Sequence, residues 1–258
     1  MLVKAVILAG GRGSRLSEET DARPKPLVEI GGRPIIWHIM NIYAYYGVRD
    51  FVVCAGYKGF LLKEYFANLA LHNADVTVDV ASGRVTYHDE APANWTVLVA
   101  DTGRDTMTAG RVRRVRDYLD PDEPFCLTYG DGLSNVDVAA AIKFHRARQR
   151  LVTLTAVPPR PRFGVLDLDG DRVTAVHEKQ SGQERLINGG FFVVDPAALD
   201  RVEGDASIWE TDVLARLANE DQLGAFRHDG FWQPMDTLWE KELLEELWRS
   251  DAPPWKLW

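Results

Sequence analysis

The sequence predicts an α/β protein: a Rossmann-like, mostly parallel sheet flanked by helices, with a small β-rich part attached. Residues 3–8 are almost entirely apolar, as a strand covered on both faces must be. Residues 50–55 and 125–129 are two more short apolar runs of the same kind. Between them lie segments whose apolar residues recur at three- and four-residue spacing, so strands alternate with helices, the pattern of βαβ units.

The elements follow in order. After the first strand a Gly-rich loop leads into a polar, Pro-punctuated stretch that ends at Pro34. Ile35, Ile36, Ile39, Met40, Ile42, Tyr43 and Tyr46 then mark one face of a helix over 34–46, which Gly47 can stop. The strand at 50–55 is followed by a helix over 58–71. Residues 76–80 and 84–88 each alternate around Ser82-Gly83, which predicts an antiparallel ribbon outside the main sheet. A strand at 95–99, a helix at 109–118, the strand at 125–129 and a helix at 136–148 come next. From Leu151 the pattern turns β-rich, with strands expected at 151–157, 163–168, 172–177 and 190–194. Helices over 209–219 and 237–248, with a short strand near Ala225, complete the chain. No repeat, low-complexity tract or linker interrupts it, so residues 1–258 are expected to form one domain.

Composition narrows the function classes. Hydrophobic residues are 46% of the chain, too many for intrinsic disorder. Lys+Arg number 30 against 38 Asp+Glu, and a net charge of −8 repels the phosphate backbone on which general nucleic-acid binding depends. No apolar run approaches the roughly 20 residues that cross a bilayer, so no membrane partner is expected. Cys54 and Cys126 lie in apolar runs without C-x-x-C spacing and read as small buried hydrophobes in a reducing compartment. Residues 3–9 contain Lys4 and run straight into Gly10-Gly11, too short for a secretory core. A cytoplasmic location is the expectation.

The chemistry begins at Leu8-Ala9-Gly10-Gly11-Arg12-Gly13-Ser14-Arg15-Leu16, a strand end feeding a Gly-rich loop. Gly10, Gly11 and Gly13 let backbone N–H groups converge on an anion without Cβ clashes. The loop is neither of two common phosphate motifs. Leu16 stands where a dinucleotide fingerprint needs its third Gly, and no Gly-Lys-Ser/Thr follows. Instead Arg15 and then Lys25 appear, the latter between Pro24 and Pro26, which stiffen the backbone and aim one ammonium. Asp131 closes the strand 125–129 between Gly130 and Gly132, where an open α/β sheet places its ligand. Asp236 precedes the last helix and suits either an N-cap or a ligand. Two aspartates far apart in sequence, with no His or Cys cluster, suit a hard, oxygen-seeking Mg²⁺ better than zinc.

These residues, from Gly10-Gly11-Arg12-Gly13-Ser14-Arg15-Leu16 to Lys25-Pro26, resemble the signature of the sugar-1-phosphate nucleotidylyltransferases. Longer matched words extend the resemblance along nearly the whole chain. They include Cys54-Ala55-Gly56-Tyr57-Lys58-Gly59, Thr128-Tyr129-Gly130-Asp131-Gly132, Asn188-Gly189-Gly190-Phe191-Phe192 and Gly230-Phe231-Trp232-Gln233-Pro234-Met235-Asp236-Thr237. They are similar to the branch of that family that moves a cytidylyl group from CTP to α-D-glucose 1-phosphate, giving CDP-glucose and pyrophosphate. The resemblance implies the nucleotidyltransferase fold with a sugar-binding β-rich part. It implies in-line attack of the sugar phosphate on the α-phosphorus, with Arg15 on the β/γ-phosphates, Lys25 on the α-phosphoryl group and Mg²⁺ held by Asp131 and Asp236. The catalytic residues expected are Arg15, Lys25 and Asp131. Leu8, Ala9, Gly10, Gly11, Gly13, Ser14 and Gly130 are expected beside the nucleotide with them.

Glu178-Lys179 resembles the family's Glu-Lys motif, which implies Lys179 on the sugar's phosphate and Glu178 on its hydroxyls. Asn188 and Gly189 are the other candidates, since the Asn188 amide can both donate to and accept from sugar hydroxyls. Base choice falls to residues 101–111. Cytosine presents an exocyclic amine where uracil and thymine present a carbonyl, so acceptors there favour CTP. Asp101, Thr106 and Arg111 are the residues expected to line that site, while Arg113, Arg114 and Arg116 read as a solvated helix face. The resemblance further implies a homo-oligomer, a homohexamer, with residues 72–96 and Trp248, Trp255 and Trp258 as candidate contacts. Two other readings stand beside this one. One keeps the chemistry with UTP, dTTP or another sugar or small phosphate acceptor. The other is an inactive nucleotide-sugar-binding regulator, in which loss of the loop, the lysine or a carboxylate is expected.

Overall fold

The structure, a computed structural model, describes residues 3–88, 94–159, 165–169, 172–177 and 186–258. Its centre is a sheet of seven strands: β1 (Lys4–Ala9), β2 (Asp50–Ala55), β3 (Thr96–Asp101), β4 (Phe125–Tyr129), β5 (Val152–Val157), β6 (Ile187–Val194) and β7 (Leu223–Arg227). In space they run β7-β5-β6-β4-β1-β2-β3. Only β6 is antiparallel to its neighbours.

Each strand's alternation divides it between two cores. Along β1, Ala5, Ile7 and Ala9 face one, Val6 and Leu8 the other. The first core is covered by α1 (Ile35–Tyr45) and α6 (Leu238–Trp248). The second is covered by α3 (Thr108–Arg114) and by the segment around the fully buried Trp209. Near-continuous burial of β1, β2 and β4 follows from this two-sided cover, which is why they read as apolar runs. Ala9 pairs with Ala55, and Leu8 with Tyr129, so the loops after β1, β2 and β4 leave the sheet at one edge.

The sequence-based boundaries shift in identifiable places. Helix α2 (Gly59–Ala67) stops short of residue 71, because the Asn68 side chain turns back to bond the Glu64 carbonyl at 2.9 Å. The helix expected over 109–118 ends at Arg114 and continues as a 3₁₀ turn, Arg116–Tyr118. The helix expected over 209–219 opens as a π-helical segment, Trp209–Leu214, before α5 (Ala215–Asn219). The β-rich part is smaller than expected. β5 and β6 join the main sheet, and of the four strands only the ribbon Val165–Asp169 with Arg172–His177 lies outside it.

The ribbon Val76–Asp79 with Arg84–Tyr87 lies outside the sheet, as its alternation predicts. Its register pairs Val76 with Tyr87 and Val78 with Val85 on one face, Thr77 with Thr86 and Asp79 with Arg84 on the other. Val78 and Tyr87 are about half exposed, at 51% and 48%. The tryptophans at the C-terminus, by contrast, pack within their own chain. Trp255 is fully buried, stacks on Trp248 with ring centroids 6.0 Å apart, and donates Nε1–H to His38 Nδ1 at 3.3 Å. The other His38 nitrogen, Nε2, donates to the Ile30 carbonyl at 2.9 Å. Among the described residues no helix is long and apolar enough to cross a membrane.

Candidate active site

The loop after β1 folds back through Gly13, whose φ of +64° lies in the left-handed region open to glycine. Thr20 Oγ1 ties that turn by donating to the Gly13 carbonyl at 3.1 Å. Farther on, the prolines around Lys25 shape a single 3₁₀ turn, Lys25–Leu27, closed by the Val28 amide on the Lys25 carbonyl at 3.0 Å. Pro26 packs so tightly against Gly130 that a Cβ there would fall 2.9 Å from the ring, and the Gly130 amide bonds the Leu8 carbonyl at 3.0 Å. Lys25 is thereby fixed beside the end of β4, and so beside Asp131.

Asp236 arrives by a different route. The short pair Gly132–Ser134 and Trp232–Pro234 aligns Gly132 with Pro234, and the Met235 amide donates to the Asp131 carbonyl at 2.8 Å. The N-cap of α6 is Thr237, not Asp236: Thr237 and Glu240 form a reciprocal capping box. With that duty met by its neighbour, the Asp236 carboxylate turns back to Lys25 and Arg15, although Asp236 is not itself among the residues lining the cleft above them. It accepts from Lys25 Nζ at 2.8 Å and from Arg15 at 2.9 Å. Lys25 Nζ also donates to Asp131 Oδ2 at 2.7 Å. Burial alone would lower the pKa of the Lys25 ammonium, but Asp131 and Asp236 hold it above its ordinary value. Arg15 reaches in from solvent, its side chain 71% exposed.

A cleft of about 350 Å³ opens over this cluster. Its walls contain Leu8, Ala9, Gly10, Gly11, Gly13, Ser14, Arg15, Lys25, Thr106, Arg111, Gly130 and Asp131, all expected beside a nucleotide. Asp101 is not among the lining residues. It is exposed, and its carboxylate accepts the Gly103 amide at 3.0 Å. Arg111 lines the cleft but spends its guanidinium on protein acceptors: Nη1 donates to Gly103 O at 2.6 Å, Thr102 Oγ1 at 2.9 Å and Ala55 O at 3.3 Å, and Nη2 to Gly10 O at 3.2 Å. A Cβ on Gly10 or Gly56 would strike it at 2.2 or 2.4 Å, so glycine at both positions makes room for one buried cation. Arg113, Arg114 and Arg116 are exposed and pair with the 200–205 segment, Arg114 in a fork on Asp205. Glu178 and Lys179 lie outside the described residues. Asn188 and Gly189 begin β6, where the Asn188 side chain accepts the Gly190 amide at 2.9 Å.

Sequence reasoning missed four lining residues: Pro26, Met107, Thr108 and Tyr129. Tyr129 had a signal, since it shares a strand end with Asp131. Its hydroxyl meets the carboxylate of Glu210, which nothing local marks out. Burial, and then that carboxylate, push the Tyr129 phenol well above its ordinary pKa. Among the described residues no group of three or more His, Cys, Asp or Glu is placed to hold a metal. Two carboxylate oxygens around one ammonium can nonetheless share a hard cation, whose other ligands are then phosphate and water oxygens, as Mg²⁺ prefers.

Comparison with known proteins places the chain in a family. The nucleotidyl transferase model matches residues 4–240. The glucose-1-phosphate cytidylyltransferase of Salmonella typhi is 51% identical over 256 residues, spanning 99% of this chain and 100% of that one. A Bacillus subtilis (strain 168) protein named "probable glucose-1-phosphate cytidylyltransferase" is 41% identical over 259 residues, with the same coverage. The fold is shared with HddC of Yersinia pseudotuberculosis at a TM-score of 0.70 and 20% identity, covering 96% of this chain and 100% of that one. The chain therefore belongs to the nucleotidyl transferase family, on its glucose-1-phosphate cytidylyltransferase branch.

Proposed function

We propose that this protein transfers the cytidylyl group of CTP to α-D-glucose 1-phosphate, forming CDP-glucose and releasing pyrophosphate. One observation carries the chemistry. Lys25 Nζ lies within 2.8 Å of both Asp131 and Asp236 at the mouth of a glycine-lined cleft, on a chain 51% identical to a glucose-1-phosphate cytidylyltransferase. Such a transfer needs in-line positioning and charge neutralisation rather than a covalent intermediate. The Gly10–Gly13 backbone cradles the triphosphate and Arg15 meets its β/γ end. Lys25 stabilises the charge that grows on the α-phosphoryl oxygens. Asp131 and Asp236 hold Mg²⁺, which when bound neutralises phosphate charge between the two substrates. Thr106 and the carbonyls gathered by Arg111 face the base, acceptors for a cytosine amine. Asn188, Gly189, Glu178 and Lys179 take the sugar phosphate.

The enzyme works as a homo-oligomer in the cytoplasm. The apolar face of the 76–87 ribbon supports assembly, since a two-stranded ribbon with one exposed apolar face is marginal alone. Both cysteines are buried free thiols with pKa values pushed up to about 12 by burial, which suits a reducing compartment.

The experiment is pyrophosphate release with glucose 1-phosphate and Mg²⁺ against CTP, UTP, dTTP, ATP and GTP. Release with CTP, lost in Asp131→Ala and Asp236→Ala, supports the proposal. Release with another nucleotide alone overturns the base assignment, and silence with all five overturns the acceptor.

A further inference from the structure

Trp232 belongs to the motif Gly230-Phe231-Trp232-Gln233-Pro234-Met235-Asp236, of which the proposed chemistry uses only the last residue. Its backbone pairs with Ser134 in the short strand pair that carries Asp236 to Asp131. The residue before it is pinned twice. The Phe231 amide donates to Asn135 Oδ1 at 2.8 Å, and Ser134 Oγ donates to the Phe231 carbonyl at 2.8 Å. The Trp232 ring packs on the first core, which sets the direction of its N–H. That N–H points away from the strand pair: Nε1 donates to the Gly189 carbonyl of β6 at 2.6 Å.

Gly189 stands where β6 departs from a regular ladder. Leu154 pairs with Phe192 and Ala156 with Asn188, so residues 189–191 of β6 stand opposite Thr155 alone. Such a bulge re-aims the side chains beside it and takes backbone groups out of the ladder. A Cβ at 189 would fall 2.9 Å from the Val157 side chain and 3.0 Å from the Thr155 carbonyl. Gly190 has a φ of +78°, and a Cβ there would fall 2.6 Å from the ring of Tyr129, a wall of the cleft. Asn188 opens the bulge, and its Oδ1 accepts the Gly190 amide at 2.9 Å. The path of the bulge therefore sets where the Asn188 side chain lies, and the Trp232 indole holds that path from outside the sheet.

We infer that Trp232 is a positioning residue for the sugar phosphate: its indole N–H holds the Gly189–Gly190 bulge that sets Asn188. This rests on the reaction proposed above and on Asn188 as a sugar-binding residue. The pairing of residue 232 with Ser134, which helps to place Asp236, is made by backbone and does not involve the indole. Loss of the N–H alone therefore separates the two duties. The Gly189 carbonyl loses this partner, and a bulge built of glycines has the backbone freedom to move, while Asp236 stays in register.

The test measures KM for glucose 1-phosphate and for CTP, and the Mg²⁺ concentration giving half the maximal rate, in Trp232→Phe, Asn188→Ala and the double variant. Trp232→Phe keeps an aromatic ring on the core without the donor. It is expected to raise KM for glucose 1-phosphate about fivefold, with KM for CTP and the Mg²⁺ requirement changed less than about twofold. Because Trp232 acts through Asn188, the double variant is expected to match Asn188→Ala alone. Benzothienylalanine at position 232 puts sulfur where the N–H stands and keeps the indole shape. It is expected to give the same result, and it carries the test should the phenylalanine variant not fold. Additive effects overturn the inference, as does an unchanged KM for glucose 1-phosphate. So does a change in KM for CTP or in the Mg²⁺ requirement as large as that for the sugar phosphate. A normal KM for glucose 1-phosphate in Asn188→Ala overturns it through Asn188, whereas pyrophosphate release by the unaltered protein tests the reaction separately. If that protein uses a different nucleotide or acceptor, the same comparison is made with that pair.

Discussion

Two polar clusters in this molecule solve burial in opposite ways. Around Lys25 the fold keeps its charges: one ammonium, 11% exposed, faces two carboxylates that are 28% and 17% exposed. Around His38 it removes charge altogether. The ring is fully buried, gives Nε2–H to Ile30, takes Trp255 Nε1–H on Nδ1, and has its pKa lowered to about 4, chiefly by burial. A neutral, fully bonded group in a low-dielectric interior stabilises without further purpose. Ion pairs left at the edge of a cleft contribute little to stability, but they keep charged groups ready for phosphate and metal. The difference separates a cluster for chemistry from one for cohesion, and substitutions can test that separation.

The largest effect is expected at Lys25. Lys25→Met removes the cation that meets transition-state charge and should lower kcat by about 10²–10³-fold, as loss of one such donor typically does. Stability should change far less, because the cleft stays open to water. Pyrophosphate release and melting of the same preparation check this. A variant that loses both together would make Lys25 a cohesive residue like His38.

The reverse profile is expected at His38. His38→Gln should leave kcat and KM within about twofold while lowering stability to urea at pH 7 by about 1–2 kcal/mol, since the Trp255 and Ile30 bonds are replaced imperfectly. Acid sharpens the contrast. The unfolded chain takes up a proton near pH 6.5 that the folded one refuses until about pH 4. Native stability therefore falls as pH drops through that window, by up to about 3 kcal/mol for a shift of this size. Burial also lowers the pKa of His145, so the quantity to read is the difference between His38→Gln and the unaltered protein at pH 7, 5.5 and 4. A smaller acid loss in the variant is the expected result. Equal losses would remove His38 from the account.

The two clusters were also unequally legible. Lys25 and Asp131 could be found from sequence because each is bracketed by residues with strong backbone preferences, prolines at one and glycines at the other. Asp236 could be named but not placed. Its two possible roles were separated only by Thr237, which takes the cap, and by the short strand pair that carries it to Asp131. The central sheet was readable because strands covered on both faces are apolar throughout. The fate of β5 and β6 was not, since a buried strand of a separate layer and one added to the main sheet have the same composition. His38 and Glu210 left no trace. Each owes its role to partners more than 80 residues away, Trp255 and Tyr129, and a single sequence records no such pairing.

The smallest effect, and the finest division between chemistry and cohesion, is expected at Asp101. Its carboxylate accepts the Gly103 amide, Gly103 holds a φ of +87°, and the Gly103 carbonyl accepts Arg111 at 2.6 Å. Asp101 thus shapes the turn that anchors Arg111, a wall of the cleft, without lining the cleft itself. If shaping is its whole role, Asp101→Asn should keep KM for CTP within about twofold, because the amide oxygen still accepts the Gly103 N–H. Asp101→Ala should raise it a few-fold by loosening the turn, the usual scale for one exposed hydrogen bond. A direct bond to the cytosine amine predicts otherwise. Both variants would then lose affinity for CTP, and Asn, which can donate as well as accept, would gain on UTP. Measuring KM for CTP and UTP in the two variants decides whether Asp101 reads the base or holds the loop that does.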